Sequence, residues 1–369
     1  MICDLADRLA RAAAATRAAG IDALVVSPGA DLRYLTGYSA VPLERLTALV
    51  LPAAGDPHLL VPALEKAAAL ASPAGELGLA VDTWAETDDP YAKVSDLLPA
   101  GTATVAVDNH MWAEKVLALR AALPGMRQVL AGGVLGELRM RKTPAEVDAL
   151  REAGAAIDRV HRRMGEWLRP GRTERAVGAD IADAILAEGH LRVDFVIVGS
   201  GPNGASPHHE LSDRTIEPGD PVVVDIGGTT AAGYCSDSTR TYVAGGAAPA
   251  QFTEYFAVLQ RAQQAQRAYA GPGVSAESID AVGRALITDA GFGDAFLHRT
   301  GHGIGLETHE EPYIVSGNTR LLEPGMAFSI EPGIYLEGRH GARIEDIVVV
   351  TDDGVEVLNS TIRDALVLS

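Results

Sequence analysis

Cysteine is nearly missing from this chain: Cys3 and Cys235 are the only two in 369 residues, and they lie far apart. No disulfide framework is implied, and a reducing cytoplasm is the compartment that fits. Basic residues are also scarce, with 31 Lys and Arg against 49 Asp and Glu, a net charge of −18. That balance argues against nucleic acid and against anionic membrane surfaces as partners. No apolar run approaches a membrane span, because Pro, Glu and Asp interrupt each one. The first residues carry Asp4 and Asp7 and no continuous apolar core, so they do not read as a signal peptide. What is present is ordinary for a soluble globular protein: 47% hydrophobic and 22% charged residues, in a length sufficient for two domains.

The first ~130 residues alternate between helical and strand patterns. Residues 4–19 form an Ala-rich amphipathic stretch that Gly20 can cap, and IDALVVS, TALVLP, HLLVP and TATVAVD read as short strands. A boundary follows near AGGVLGELRMRKTPAEV. There Thr143, Pro144 and Glu146 spell a capping box, predicting a long helix from 144 towards Leu168. Beyond it the chain repeats itself weakly. Residues 170–189 align with 272–291, and IEPGDPVVVDIG (216–227) aligns with LEPGMAFSIEPG (322–333), which sets Asp225 on Glu331 and Asp237 near Glu345. Two αβ units of like build, facing each other across a cleft and giving two carboxylates each, are the physical reading. Two copies are too few for a solenoid.

Five residues stand out as a ligand set: Asp225 in VVVDIGG, Asp237 in GYCSDSTRT, His302 in TGHGIG, Glu331 in SIEPGIY and Glu345 in ARIED. Apolar runs precede Asp225 and Glu331, so these carboxylates are expected at or inside buried strands, where each needs a partner. Apart from Arg240 and Arg343, few cations lie near enough in sequence to pair with them. Four converging carboxylates repel one another, and two divalent ions relieve that while activating water for hydrolysis. Glu217 and Glu323 open E-P-G turns and read as solvated. Cys235, two residues before Asp237, reads as a small packed residue. The glycines around His302 are expected to let the backbone approach an ion or substrate.

One competing motif fails on context. Residues 199–204, GSGPNG, match G-x-G-x-x-G after the strand-like VDFVIV. A dinucleotide site needs a helix to open at those glycines, and ASPHHELSDRTIEPGD, with two prolines and no apolar period, cannot supply it. The glycines instead shape a loop presenting His208 and His209.

The ordered series DIGG, GYCSDSTRT, GHGIGLETHE, EPGIY and RIED resembles the pita-bread metallopeptidases, the creatinase, aminopeptidase P and prolidase family. The resemblance covers about 145 to the end and extends more weakly, through DLRYLTGY, to the N-terminal part. It implies an α+β fold: an N-terminal creatinase-like α/β domain (1–130), a linker (131–144) and a pita-bread catalytic domain (145–369) built as a pseudo-symmetric αβ repeat around a di-metal cleft. It also implies that Asp225 chelates one ion, His302 and Glu331 the other, and that Asp237 and Glu345 bridge the pair. Glu331 is then the general base, with His208 and His309 steadying the tetrahedral intermediate and helping the amine to leave. Arg343 and Tyr313 are expected at the substrate, Arg343 orienting ligands or gripping a carboxylate. The segment from Asp225 to Asp237 is one residue longer than typical members carry, with the extra residue expected in the TTAAG turn.

The function so implied is hydrolysis of Xaa-Pro bonds in short proline-containing peptides, by an Xaa-Pro dipeptidase or an Xaa-Pro aminopeptidase. Mn²⁺ or Co²⁺ are the implied ions, while the ligand chemistry also admits Fe²⁺ or Zn²⁺. A homodimer is implied. A family member cutting a C–N bond of a small metabolite is the alternative within enzymes; a creatinase, working without metal, fits the intact ligand set poorly. A non-catalytic binding module on the same fold is the alternative outside them, and such modules have lost ligands that this chain keeps.

Overall fold

The computed structural model of the protein describes residues 2–368, with side chains from Asp4 to Leu368, so the side chain of Cys3 lies outside the described residues. The chain divides into two compact units, one ending at Arg139 and the other starting at Met140.

In the first unit six strands form one mixed sheet in the order β4-β3-β2-β1-β5-β6. They are β1 (Ala23–Val26), β2 (Ala48–Pro52), β3 (His58–Pro62), β4 (Ala80–Trp84), β5 (Thr104–Val107) and β6 (Arg127–Leu130). The central strands are continuous apolar runs, and β1, ALVV, is buried at every residue because helices cover both faces of such a sheet. Ala48, Leu60, Trp84, Val94 and Leu119 share one buried cluster with Val25. The segment DLRYLTGY is helical over Ala30–Thr36, and Gly37 ends that helix at φ 70°, a conformation that disfavours side chains. Residues 131–144 are mostly ordered structure, comprising helix Gly132–Met140 and a bridge from Arg141 to Met326.

The second unit starts with helix Pro144–Arg162, whose capping box is formed, with the Thr143 amide donating to Glu146 Oε2 at 2.8 Å. The helix ends at Arg162, nearly two turns short of Leu168, because a 3₁₀ turn at Met164–Glu166 replaces its end. Strands β7 (His190–Ser200), β8 (Asp220–Thr230) and β9 (Cys235–Ala244) form a long antiparallel meander. Strands β10 (Gly301–Gly303), β11 (Glu310–Ile314) and β12 (Ala327–Ile330) follow, then the hairpin β13 (Gly333–Leu336) and β14 (His340–Arg343). Strands β15 (Asp346–Val350) and β16 (Val355–Val357) complete a five-stranded sheet in the order β11-β10-β12-β15-β16, and β17 (Val367–Leu368) runs parallel to β9.

The internal repeat is structural. Helices Glu174–Ala187 and Ala276–Asp289 have the same length and start 102 residues apart, as the sequence blocks do. Each is tethered by one bridge, Thr173 to Thr215 and Ser275 to Leu321. After the strand-like VDFVIV comes a 3₁₀ turn, Gly201–Ala205, and not the α-helix that a dinucleotide fingerprint requires. Among the described residues no helix is long and apolar enough to cross a membrane.

Candidate metal centre

Register on β8 and β9 places the first two carboxylates. Asp225 pairs with Thr239 and Gly227 with Asp237, so Asp225, Asp237 and Thr239 project from one face of the hairpin. The turn joining these strands spans 231–234, away from that face. The other ligands come from breaks in short strands. His302 is the middle residue of β10, Glu331 follows β12 directly, and Glu345 immediately precedes β15. The glycines beside His302 have a reason other than ligand access. A Cβ on Gly301 would lie 1.9 Å from the Ser329 carbonyl oxygen, and one on Gly303 2.2 Å from that of Glu311, so neighbouring backbones exclude side chains there.

The five side chains converge. His302 Nε2 lies 3.2 Å from Glu331 Oε1 and 3.6 Å from Asp237 Oδ2. Three triads have ligand atoms within 4.8 Å of one another: Asp237 with His302 and His309, His302 with Glu331 and Glu345, and Asp225 with Asp237 and Glu345. His302 Nδ1 faces the Gly303 carbonyl at 3.1 Å, a bond that fixes the proton on Nδ1 and leaves Nε2 as the ligand nitrogen. Ser329 Oγ donates to Glu331 Oε1 at 3.0 Å, and Thr239 Oγ1 donates to Glu345 Oε2 at 2.8 Å.

A divalent pair fits what remains. Asp225 Oδ1 and Glu345 Oε1 are buried with no hydrogen-bond partner. Burial, then Glu345, Asp225 and Glu331, pushes the Asp237 carboxyl well above its ordinary range; burial with Glu331 and Asp225 does the same to Glu345. Carboxylates so crowded and so short of donors need cations. Burial also works to raise Glu331, but its bond to His302 and the charges of His302, His298 and Arg343 outweigh this and bring it to about 2. Oxygen-rich donors with one imidazole suit hard or borderline divalent ions.

The two arginines of the sequence reading have separate duties. Arg240 pairs with Asp346 at 2.8 Å and also donates to the Glu345 carbonyl, anchoring the backbone beside a ligand. Arg343 Nη2 lies 2.5 Å from Asp225 Oδ2, and its other nitrogens donate to Thr239 Oγ1, Tyr335 OH and the Pro207 carbonyl. Arg343 lines the cavity with its donors already engaged.

The centre forms the floor of a cavity of about 670 Å³, whose wall includes Phe195, Ile197, His208, His298, Arg299 and His309. That volume suits a small ligand. His208 and His309 are both exposed at the cavity, and the His309 ring packs on His302 with centroids 3.9 Å apart. Partial burial and the charge of His302 push His309 down to about 4. Cys235 packs beside Thr229, its thiol pushed up to about 11 by burial, in none of the ligand clusters. Tyr313 is not on the cavity wall; its ring supports Arg299, which is, at 4.2 Å.

Sequence reasoning missed three supports. Glu174, fully buried, accepts from the Ser200 amide and hydroxyl, Asn203, Ser212 and His209, pinning the loop that carries His208. Its place at a helix start made it look like an ordinary first-turn acid. His298 joins Tyr335 at 2.8 Å, extending the Arg343–Asp225 chain to the cavity wall. Arg299 was legible only as one of two basic residues before the GHG run.

The profile of metallopeptidase family M24 matches residues 148–352, and that of the creatinase/prolidase N-terminal domain matches residues 8–141. The chain belongs to metallopeptidase family M24. It is thus a hydrolase of that family, with the creatinase-type N-terminal domain and pita-bread catalytic domain; the family implies divalent metal ions, and the clusters above are candidate sites for them. It is 57% identical over 363 residues to the probable dipeptidase PepE of Mycobacterium tuberculosis, covering 98% of this chain and 96% of that one. An Xaa-Pro dipeptidase of Lactobacillus delbrueckii subsp. lactis is 38% identical over 358 residues, 95% of each chain. The crystal structure of dipeptidase PepE from Mycobacterium ulcerans superposes with a TM-score of 0.95 at 56% identity, covering 100% of this chain and 98% of that one.

Proposed function

We propose that this member of family M24 is an Xaa-Pro dipeptidase acting on short proline-containing peptides, with Mn²⁺ or Co²⁺ as its ions. The observation that carries the reading is the convergence of four carboxylates and one imidazole, two carboxylate oxygens unpartnered, on the floor of a cavity of small-molecule size. The names of the relatives support a dipeptidase, and the likeness to an Xaa-Pro dipeptidase supports proline.

Asp225, Asp237, His302, Glu331 and Glu345 hold the two ions. Bound there, divalent ions polarise a carbonyl and lower the pKa of water. The remaining work belongs to side chains. Ser329 holds Glu331 Oε1 in place, leaving Oε2 to take a proton from the attacking water. His208 and His309 face the cavity from its rim, where they donate to the developing oxyanion and to the departing amine. Arg343 donates to Asp225 and keeps it aimed. Phe195 and Ile197 give the cavity an apolar wall suited to a proline ring.

Metal-stripped protein assayed with and without Mn²⁺ tests this reading. Proline release from Ala-Pro should appear only with metal and should exceed alanine release from Ala-Pro-Ala. Failure to cleave either peptide with two ions bound would sink the proline-peptidase assignment.

A further inference from the structure

The acidic balance of the chain reverses directly behind one of the metal ligands. The whole sequence carries a net charge of −18, yet Asp346, the residue after Glu345, is a fully buried carboxylate among three arginines. Arg240 Nη2 donates to its Oδ1 at 2.8 Å and Arg363 Nε to its Oδ2 at 2.6 Å, while Arg267 Nε stands 3.6 Å from that same Oδ2. Gln263 Nε2 also donates to Oδ2, at 2.7 Å. One negative charge answers three positive ones. Asp364, next in the chain to Arg363, is exposed and accepts from Gln260 Nε2 at 2.7 Å.

The three guanidinium groups are engaged to different degrees. Arg240 is buried, and every nitrogen donates, to Asp346 and to the carbonyls of Thr239, Glu345, Thr361 and Ile362. Arg267 uses Nε on Gln263 Oε1 at 2.8 Å, and among the described residues its two terminal nitrogens have no hydrogen-bond partner. Arg363 uses Nη2 on the Asn359 carbonyl at 3.1 Å and keeps Nη1 open. Both side chains are half-buried, and their open nitrogens reach solvent. Burial, together with the charges of Arg363 and Arg240, holds the Arg267 guanidinium below its ordinary pKa despite Asp346. Neither arginine is loose. Arg267 belongs to helix Ala250–Tyr269, and the segment before Arg363 is tied to Asp158 by the Ser360 and Thr361 hydroxyls, each at 2.8 Å. Two cations from separate elements therefore meet at one oxygen with their outward donors already placed, which lowers the ordering cost of binding.

The ligand chemistry follows from that geometry. Two guanidinium forks and an excess of positive charge call for several acceptor oxygens and more than one negative charge. A tetrahedral dianion has both, whereas a carboxylate has two oxygens and a single charge. We propose that Arg267 and Arg363 form a binding site for a phosphate group, either the inorganic ion or a phosphomonoester. The site is distinct from the metal centre: neither arginine lines that cavity, and Asp346, as the residue following Glu345 into β15, turns to the opposite side. A phosphate there supplies the charge that Asp346 alone cannot, behind the backbone that Arg240 anchors beside Glu345. The proposal goes beyond the peptidase reading and does not depend on it.

The test titrates wild type, Arg267→Gln, Arg267→Lys and Arg363→Gln by calorimetry with inorganic phosphate, glycerol phosphate and acetate. Chloride holds the ionic strength constant, and each protein is used both metal-stripped and Mn²⁺-loaded. Metal-stripped wild type should bind one phosphate and show a thermal midpoint that rises with phosphate well beyond what chloride or acetate gives. Arg267→Gln should weaken phosphate on the order of 10-fold, Arg363→Gln should act in the same direction, and Arg267→Lys should recover part of the loss. Arg267→Gln leaves Asp346 with Arg240, Arg363 and Gln263, so it guards against a variant that merely fails to fold. Binding of both phosphates marks a site open to esters, and binding of inorganic phosphate alone marks a site for the free ion. Phosphate heat seen only with Mn²⁺ bound, or equal affinity in wild type and both Gln variants, overturns the proposal. So does a midpoint that follows ionic strength whatever the anion. The metal-stripped titration stands whether or not any peptide is cleaved, so this proposal and the peptidase reading fail separately.

Discussion

The two repeated halves of the catalytic unit place their ligands by different means. In the first, Asp225 and Asp237 stand inside uninterrupted strands of 11 and 10 residues, and the ladder on either side fixes them. In the second, β10, β12 and β15 have only 3, 4 and 5 residues, and Glu331 and Glu345 sit just outside strand ends. Strand interiors give rigidity and a flat face. Strand ends give space for a cavity and for an imidazole, but they must be propped. The props come largely from the first half: Thr239 and Arg240 hold the segment at Glu345, whose own amide donates to the Thr239 carbonyl at 3.1 Å. The first half is built to stand, and the second is built around an opening.

If the halves are equal partners in holding metal, their matched carboxylates should be equally indispensable. Asp237→Asn and Glu345→Gln are each expected to lower kcat/KM by at least ~10³-fold and to reduce bound metal measured by emission spectroscopy. A large loss in one variant alone would break the symmetry of function while leaving that of the fold. The contact between halves comes next. Arg343→Met strips Asp225 of its cation, and metal affinity measured by competition with a chelator should fall about 10–100-fold. The loop of the first half can be probed alone through Glu174→Ala. Removing the acceptor shared by five donor groups should cost about 1–3 kcal/mol in urea unfolding and blunt activity through the displaced His208.

The smallest expected effect separates the halves by pH. His161 supports β9, with Nε2 donating to the Ser238 carbonyl at 3.1 Å and Nδ1 accepting from Tyr242 at 2.9 Å. Around β10, β12 and β15 the supports are amides, Gln263 on Asp346 and Gln266 on Thr300. Burial and the Arg240 charge push His161 down to about 3. Its contribution to stability is complete above the unfolded value near 6.5 and is lost as pH falls from there towards 3, with a slope of at most about 1.4 kcal/mol per pH unit. Hydrogen exchange at pH 5 should show β8 and β9 losing protection before β12 and β15. His161→Gln should flatten that difference, and equal loss in both halves of the wild type would count against it.

How much of this was legible beforehand follows the same division. The ligands announce themselves because apolar runs lead to a charge, as in VVVD and FSIE, and the repeat is visible because equivalent helices and turns kept their spacing. What holds the ligands is not written locally. Arg240 finds Asp346 and Arg343 finds Asp225 more than a hundred residues away, and nothing in their flanks says which acid each takes. The glycines around His302 suggested access for a ligand, whereas their neighbours are strand backbones. The stretch 131–144 looked like a linker because its Gly and charged residues hide a helix. Tyr313 reads from sequence as a pocket aromatic, and only the sheet register reveals that an arginine lies on it.

The propping of Glu345 by Thr239 spans 106 residues and has a consequence in time. A ribosome adding about 5–20 residues per second needs about 5–20 s to make the stretch between them. For that interval the β8–β9 hairpin has been synthesised with its two carboxylates, while Glu345 has yet to be made. With Glu345 as one of the ligands, a metal centre cannot assemble on the nascent chain in that window, so the growing polypeptide is kept from acting on peptides until Glu345 is made.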